Sequence, residues 1–95
     1  MERESVINTL TAQKPVLAQK YGLTLLGIFG SVARGQASEF SDVDVVVEMP
    51  PDLFQMVHLR EDLEQLLGVP VDLIRLHKNL DAYLRGRIAR EAIYV

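Results

Sequence analysis

The sequence predicts an α/β fold of the α+β type: a single domain, residues 1–95, whose small mixed sheet of three main strands is flanked by helices. Three observations lead there. The short, largely apolar runs Leu25–Phe29, Asp42–Val47 and Val69–Leu73 read as strands. Around them lie segments whose apolar residues recur every three or four positions, the period of an amphipathic helix. The chain has 95 residues, enough for one hydrophobic core and too few for two.

Composition narrows the function classes. With 48% hydrophobic and 24% charged residues the chain has the make-up of an ordinary globular protein. Cysteine is absent, which excludes a disulfide framework and a thiolate metal site. No segment resembles a secretory leader, and no apolar run approaches the roughly 20 residues that span a bilayer, so a cytoplasmic location without a membrane partner is expected. Ten basic residues against thirteen acidic ones, a net charge of −3, argue against direct nucleic-acid binding, which needs a basic face.

The elements follow in order. Val6, Ile7 and Leu10 predict a short helix over Glu2–Leu10. Thr11 reads as the cap of a second helix reaching Tyr21, with Pro15 in its first turn and Gly22 just past its end. Leu25–Phe29 is nearly all apolar and is expected to be buried on both faces. The Gly30-Ser31 turn that follows opens a short helix, Ser31–Arg34, closed by Gly35. Gln36–Ser41 is a polar loop in which Ser38 and Ser41 form turns. Pro50-Pro51 ends the second strand, and Asp52 caps an amphipathic helix that runs from Leu53 to near Gly68. Within it Phe54 and Met56 read as core or partner contacts, and His58 has no assigned role. After the third strand, Asn79 is the expected cap of a last helix with Leu80, Leu84, Ile88 and Ala92 along one side. Its Arg85, Arg87 and Arg90 form either a solvated face or a surface for an acidic partner.

The chemistry concentrates between Gly30 and Glu48. On a strand alternate side chains share a face, so Asp42 and Asp44 lie together and Val43, Val45 and Val47 lie opposite. Two carboxylates about 7 Å apart at the backbone can converge on one or two cations. Asp44 stands inside a valine-rich strand with no basic residue near it in sequence, and a hard divalent metal would relieve its burial. Glu48 continues that face but lies far from Asp42, which suits a surface role. Gly30 lets a ligand approach the backbone, and the Ser31 hydroxyl can cap the helix or donate to a phosphate. Arg34 can reach a phosphate, pair with a carboxylate such as Glu39, or do both in turn. Gly30 and Gly35 have the spacing of P-loop glycines, but Gln36 and Ala37 stand where that motif requires Lys and Ser/Thr, so it is not a P-loop.

Gly30-Ser31, ten residues, then Asp42-Val43-Asp44-Val45 resembles the signature of the nucleotidyltransferase superfamily that includes DNA polymerase β. Phe29-Gly-Ser-Val-Ala-Arg-Gly35 with Ser41-Asp-Val-Asp44, then Val69–Ile74 and the ending Leu84–Val95, are similar to its minimal nucleotidyltransferase (MNT) branch. The resemblance implies the nucleotidyltransferase fold, and it implies that Asp72 is the third acidic residue, beside the Asp-x-Asp strand. With Asp42 and Asp44 it would be catalytic and hold two Mg²⁺, while Gly30, Ser31 and Arg34 bind the nucleotide. The implied reaction is AMP transfer from ATP to a hydroxyl. The implied partner is a HEPN-type ribonuclease toxin, in a hetero-oligomer for which this chain is the antitoxin, modifying a toxin tyrosine. Masking of the toxin by binding alone and small-molecule transfer are the alternatives. Tyr83 and Tyr94 are hydroxyls that such an enzyme could itself modify.

Overall fold

The computed structural model describes residues 2–37 and 42–95. Along them run α1 (Arg3–Tyr21), β1 (Leu25–Phe29), α2 (Gly30–Ala33), β2 (Val43–Glu48), α3 (Leu53–Leu67), β3 (Val71–Arg75), α4 (Ala82–Glu91) and β4 (Ile93–Tyr94). The expected three strands are joined by a fourth, giving a mixed sheet in the order β3-β2-β1-β4. β1 is antiparallel to both β2 and β4, and β2 is parallel to β3. The parallel pair is connected through α3, since parallel strands need a crossover that a tight turn cannot provide.

The fourth strand is two residues long, too short to carry a period. It forms because Ala92 leaves the helix in an extended conformation and Ile93 then pairs with Ile28. Gly27 permits the approach: a Cβ there would stand 2.7 Å from the Ile93 carbonyl oxygen and 2.8 Å from the Tyr94 ring.

Three elements depart from their expected bounds by more than one residue. The two N-terminal helices are one, α1, which runs through Pro15. Val6, Leu10, Leu17 and Tyr21 form a single buried stripe, and this continuous packing outweighs the hydrogen bond that Pro15 cannot donate. The third strand begins at Val71 rather than Val69, because Pro70 has no N–H for the ladder and contributes only its carbonyl, which accepts from the Val43 N–H at 3.0 Å. The last helix is capped by Asp81, whose carboxylate accepts the Leu84 N–H at 3.0 Å; Asn79 belongs to the preceding turn, where its N–H donates to His77 Nδ1. The cap of α3 is as expected, Asp52 accepting from the Gln55 N–H at 3.1 Å. Gly22 and Gly68 end α1 and α3.

The alternation along β2 sorts two layers. Val43, Val45 and Val47 join Leu26 and Ile28 of β1 against Val6, Leu10 and Leu17 of α1 and Leu59, Leu63 and Leu67 of α3. On the other face Phe29 and Val46 pack with Ile88 of α4, flanked by Ile74 and Leu84. Asp44 and Asp72 therefore lie on the face that α4 covers. No helix among the described residues is long and apolar enough to cross a membrane.

α1 and α3 are pinned at one end by polar contacts. Buried Tyr21 donates its hydroxyl to Asp62 of α3, and Lys20 Nζ reaches the same oxygen at 2.8 Å. Hydrogen bonds from Lys20 and then Tyr21 hold the Asp62 carboxyl below its usual range. A depressed carboxyl contributes stability above its unfolded pKa, lost as pH falls through the folded one. Tyr21→Phe is expected to cost about 1–2 kcal/mol at neutral pH, a partly exposed charged hydrogen bond. Chemical denaturation of both proteins across pH checks this: the difference should shrink below the ordinary carboxylate range, and a difference that persists there would assign the effect to packing.

Candidate active site

The site forms where β1 ends and β2 and β3 begin. The antiparallel register puts Phe29 opposite Asp44, and the parallel register puts Asp44 opposite Asp72. Residues directly opposite in a sheet share a face, so Asp44 and Asp72 stand side by side on neighbouring strands. Asp42, two residues before Asp44, is exposed at the entrance to the same strand. The chain leaves β1 at Gly30 in the left-handed region, φ 75°. There the half-buried Asp44 fills the space a side chain would take: a Cβ on Gly30 would lie 2.1 Å from Asp44 Oδ2.

Charge accumulates at Asp44. Burial pushes its carboxyl above the usual range, the negative charges of Asp72 and Asp42 add to this, and Arg87 and Arg34 offset it only in part. The ion pairs among the described residues leave all three aspartates out. Their oxygens are the hard donors that a divalent cation prefers. Among the described residues, however, no group of three or more acidic or histidine side chains is closed tightly enough to hold a metal unaided. Mg²⁺ is usually held by one or two carboxylates together with waters and substrate phosphates, so this donor set fits an ion that arrives with a phosphate ligand.

Opposite the carboxylates is a basic cluster. Arg34, just after α2, donates to Glu91 Oε1 at 2.9 Å and through Nε to Gln36 Oε1 at 3.1 Å. Arg87 of α4 stacks over the Phe29 ring, 5.8 Å from its centre, and reaches the same Glu91 oxygen at 3.4 Å. The Gly30 N–H donates to that oxygen as well, at 3.1 Å. Burial acts to raise the Glu91 carboxyl, but hydrogen bonds from Arg87 and Gly30 and the charges of Arg87 and Arg34 outweigh it, and the net displacement is downward.

Of the residues singled out in the sequence, Gly30, Asp44 and Asp72 come together directly, with Asp42 and Arg34 at the margin. Ser31 is half-buried in the first turn of α2, which begins at Gly30, so the capping role read for it does not apply. Glu48 is on the surface, accepting from the Thr24 hydroxyl at 2.6 Å. The roles read for Ser38, Glu39 and Ser41 lie outside the described residues. Sequence reasoning assigned no specific part to Arg87 and none to Glu91; their four-residue spacing on one helix was the available signal.

Comparison with known proteins decides the family. The sequence model of the nucleotidyltransferase domain matches residues 10–95. The chain is 39% identical to the protein adenylyltransferase MntA of Thermococcus cleftensis over 94 residues, covering 97% of this chain and 94% of that one.

The chain belongs to the nucleotidyltransferase domain family.

This nucleotidyltransferase also resembles a solved structure proposed to be a minimal nucleotidyltransferase, with 37% identity, a TM-score of 0.73, and coverage of 98% of this chain and 95% of that one. A tri-AMPylated HEPN toxin in complex with its MNT antitoxin, from Shewanella oneidensis, matches at 21% identity with a TM-score of 0.60, over 97% of this chain and 66% of that one. The second likeness speaks to the fold alone. The family and the fold read from the Gly-Ser and Asp-x-Asp motifs are both borne out.

Proposed function

We propose that this nucleotidyltransferase moves AMP from ATP, with Mg²⁺, onto a tyrosine hydroxyl of a HEPN-type ribonuclease toxin and so acts as its antitoxin. The observation that carries the reading is the pairing of Asp44 with Asp72 in register against Gly30, with two guanidinium groups alongside. The relative named protein adenylyltransferase supports the reaction class; the partner class is carried over, as part of the proposal, from the HEPN complex of a Shewanella oneidensis protein whose fold this chain shares.

In this reading Asp42, Asp44 and Asp72 hold the metal and Gly30, Ser31 and Arg34 hold the triphosphate. Bound Mg²⁺ would neutralise phosphate charge and polarise the phosphorus–oxygen bond to be broken. The acceptor oxygen bonds to the α-phosphorus as the bond to pyrophosphate breaks, and Asp72 accepts the hydroxyl proton. Asp44 sets the distance between this chemistry and the Gly30 turn, because its carboxylate is wedged against the glycine.

Incubating the chain with ATP, Mg²⁺ and a HEPN-type toxin from the same source is expected to add one or more AMP units to the toxin, read by intact mass and mapped to tyrosine. Asp42→Ala combined with Asp44→Ala is expected to abolish the addition. Toxin inhibition that survives in that double variant would point to neutralisation by masking, and no AMP on the partner would overturn the proposal.

A further inference from the structure

We infer that Glu91 is an internal occupant of the anion-binding side of the site, holding Gly30, Arg34 and Arg87 until a nucleotide triphosphate displaces it, and that Arg87 is a further phosphate-binding residue. The inference deepens the proposed function and rests on its assignment of the Gly30 turn to the triphosphate.

Three donors from three parts of the chain converge on one oxygen, Glu91 Oε1: the Gly30 N–H at 3.1 Å, Arg34 at 2.9 Å and Arg87 at 3.4 Å. Convergent N–H donors carrying two positive charges form a site for an anionic oxygen, and a carboxylate of the protein now fills it. Local preferences do not account for Glu91. It is the last residue of α4, where the helix dipole disfavours an anion. Its order with Arg87, cation first and anion four residues later, is the weaker of the two orientations for a helical pair. The side chain is 17% exposed, so it is held by these tertiary contacts and not simply extended into solvent.

A phosphate oxygen that takes the Gly30 N–H must displace Oε1, because the two anions compete for the same donor. A carboxylate left within hydrogen-bonding range of a triphosphate would also repel it. Displacement frees both guanidinium groups, and Arg87, already over Phe29 on the face that carries Asp44, is placed to follow the phosphates. Glu91 thus lowers affinity for the nucleotide while keeping the basic cluster from collapsing onto the aspartates when the site is empty.

Calorimetric titration of Mg·AMP-PNP into the native chain and Glu91→Gln tests this, with thermal unfolding of both as a folding control. Glu91→Gln is expected to bind roughly three- to tenfold tighter, the effect of weakening one charged competitor. The KM for ATP should fall in parallel with kcat within about twofold, the pattern of a change in ground-state binding. Arg87→Gln is expected to bind about tenfold weaker. A second measurement needs no variant: the Gly30 amide and Glu91 side-chain carboxyl resonances of the native chain should move together on adding Mg·AMP-PNP and not on adding Mg²⁺ alone. Equal or weaker binding by Glu91→Gln, or a Gly30 amide unmoved by nucleotide, would show that Glu91 positions the arginines and does not compete, and would overturn the inference. If the native chain fails to bind Mg·AMP-PNP at all, the proposed function fails and takes this inference with it.

Discussion

Asp44→Asn is expected to lower nucleotidyl transfer by about 10³-fold or more while leaving the metal-free protein at least as stable as the native one at neutral pH. The loss follows from removing a charged metal donor worth several kcal/mol at the transition state, where each 1.4 kcal/mol is about tenfold in rate. The stability half follows from the sign of the Asp44 displacement. Its carboxyl is raised by burial and by the charges of Asp72 and Asp42. A group with a raised folded pKa contributes stability that is complete below its unfolded value and lost as pH rises through the folded one. At neutral pH the ionised carboxylate is therefore a net cost to the fold, and the amide removes it. Thermal unfolding in chelator should show Asp44→Asn at or above the native Tm at pH 7, with the difference shrinking once the medium is acidic enough to protonate the native carboxyl. Mg²⁺ with AMP-PNP should raise the native Tm and leave the variant nearly unchanged. An Asp44→Asn protein that still transfers AMP at close to the native rate would dismiss the metal role, and one that unfolds in chelator at neutral pH would show that Asp44 serves the fold.

Gly30→Ala is expected to be damaging in both respects. The residue sits at φ 75°, a conformation that costs an L-residue about 1–2 kcal/mol. The added Cβ would stand 2.1 Å from Asp44 Oδ2 and 3.1 Å from its Cγ, so the carboxylate or the end of β1 must move. Together these should destabilise the protein by about 2–4 kcal/mol. Displacing Asp44 by even an ångström should cost about 10²-fold in transfer. Gly35→Ala separates the two causes. Its φ is 72°, but a Cβ there would have an Arg3 nitrogen as its nearest described neighbour, at 3.8 Å. It should carry the conformational penalty and leave the rate close to native, as measured by adenylylation rate beside denaturant unfolding. Equal rate losses in the two variants would assign the effect to the loop backbone instead of to Asp44.

The order of elements could be read from the chain because each has a local physical signal. Asp42–Val45 alternates aspartate with valine, α3 lies between Asp52 and Gly68, and Leu25–Phe29 is nearly all apolar. Of the misread boundaries, one is a place where tertiary packing overrode a local rule, and another is a local rule that outweighed strand character. Pro15 would ordinarily open a helix, yet the buried stripe from Val6 to Tyr21 carries α1 through it. Val69 has strand character, yet Pro70 delays pairing until Val71. Within the site, Gly30, Asp42 and Asp44 could be found because they lie close together in sequence at a recognisable spacing. Asp72 needed the family resemblance, since nothing local distinguishes it from an aspartate on an edge strand facing water.

By itself the sequence determined which residues carry charge into apolar strands, which turn leaves the backbone open, and therefore which reaction class to consider. Only the tertiary structure decided that Asp44 and Asp72 are register partners, that a fourth strand closes the sheet beside Gly27, and that Arg87 and Glu91 of the last helix reach the Gly30 turn. Alternation and capping are short-range effects, written within a few residues of where they act. Strand register and helix docking are set by burying Val46, Phe29 and Ile88 together, a contact between segments far apart in the chain that no local pattern encodes.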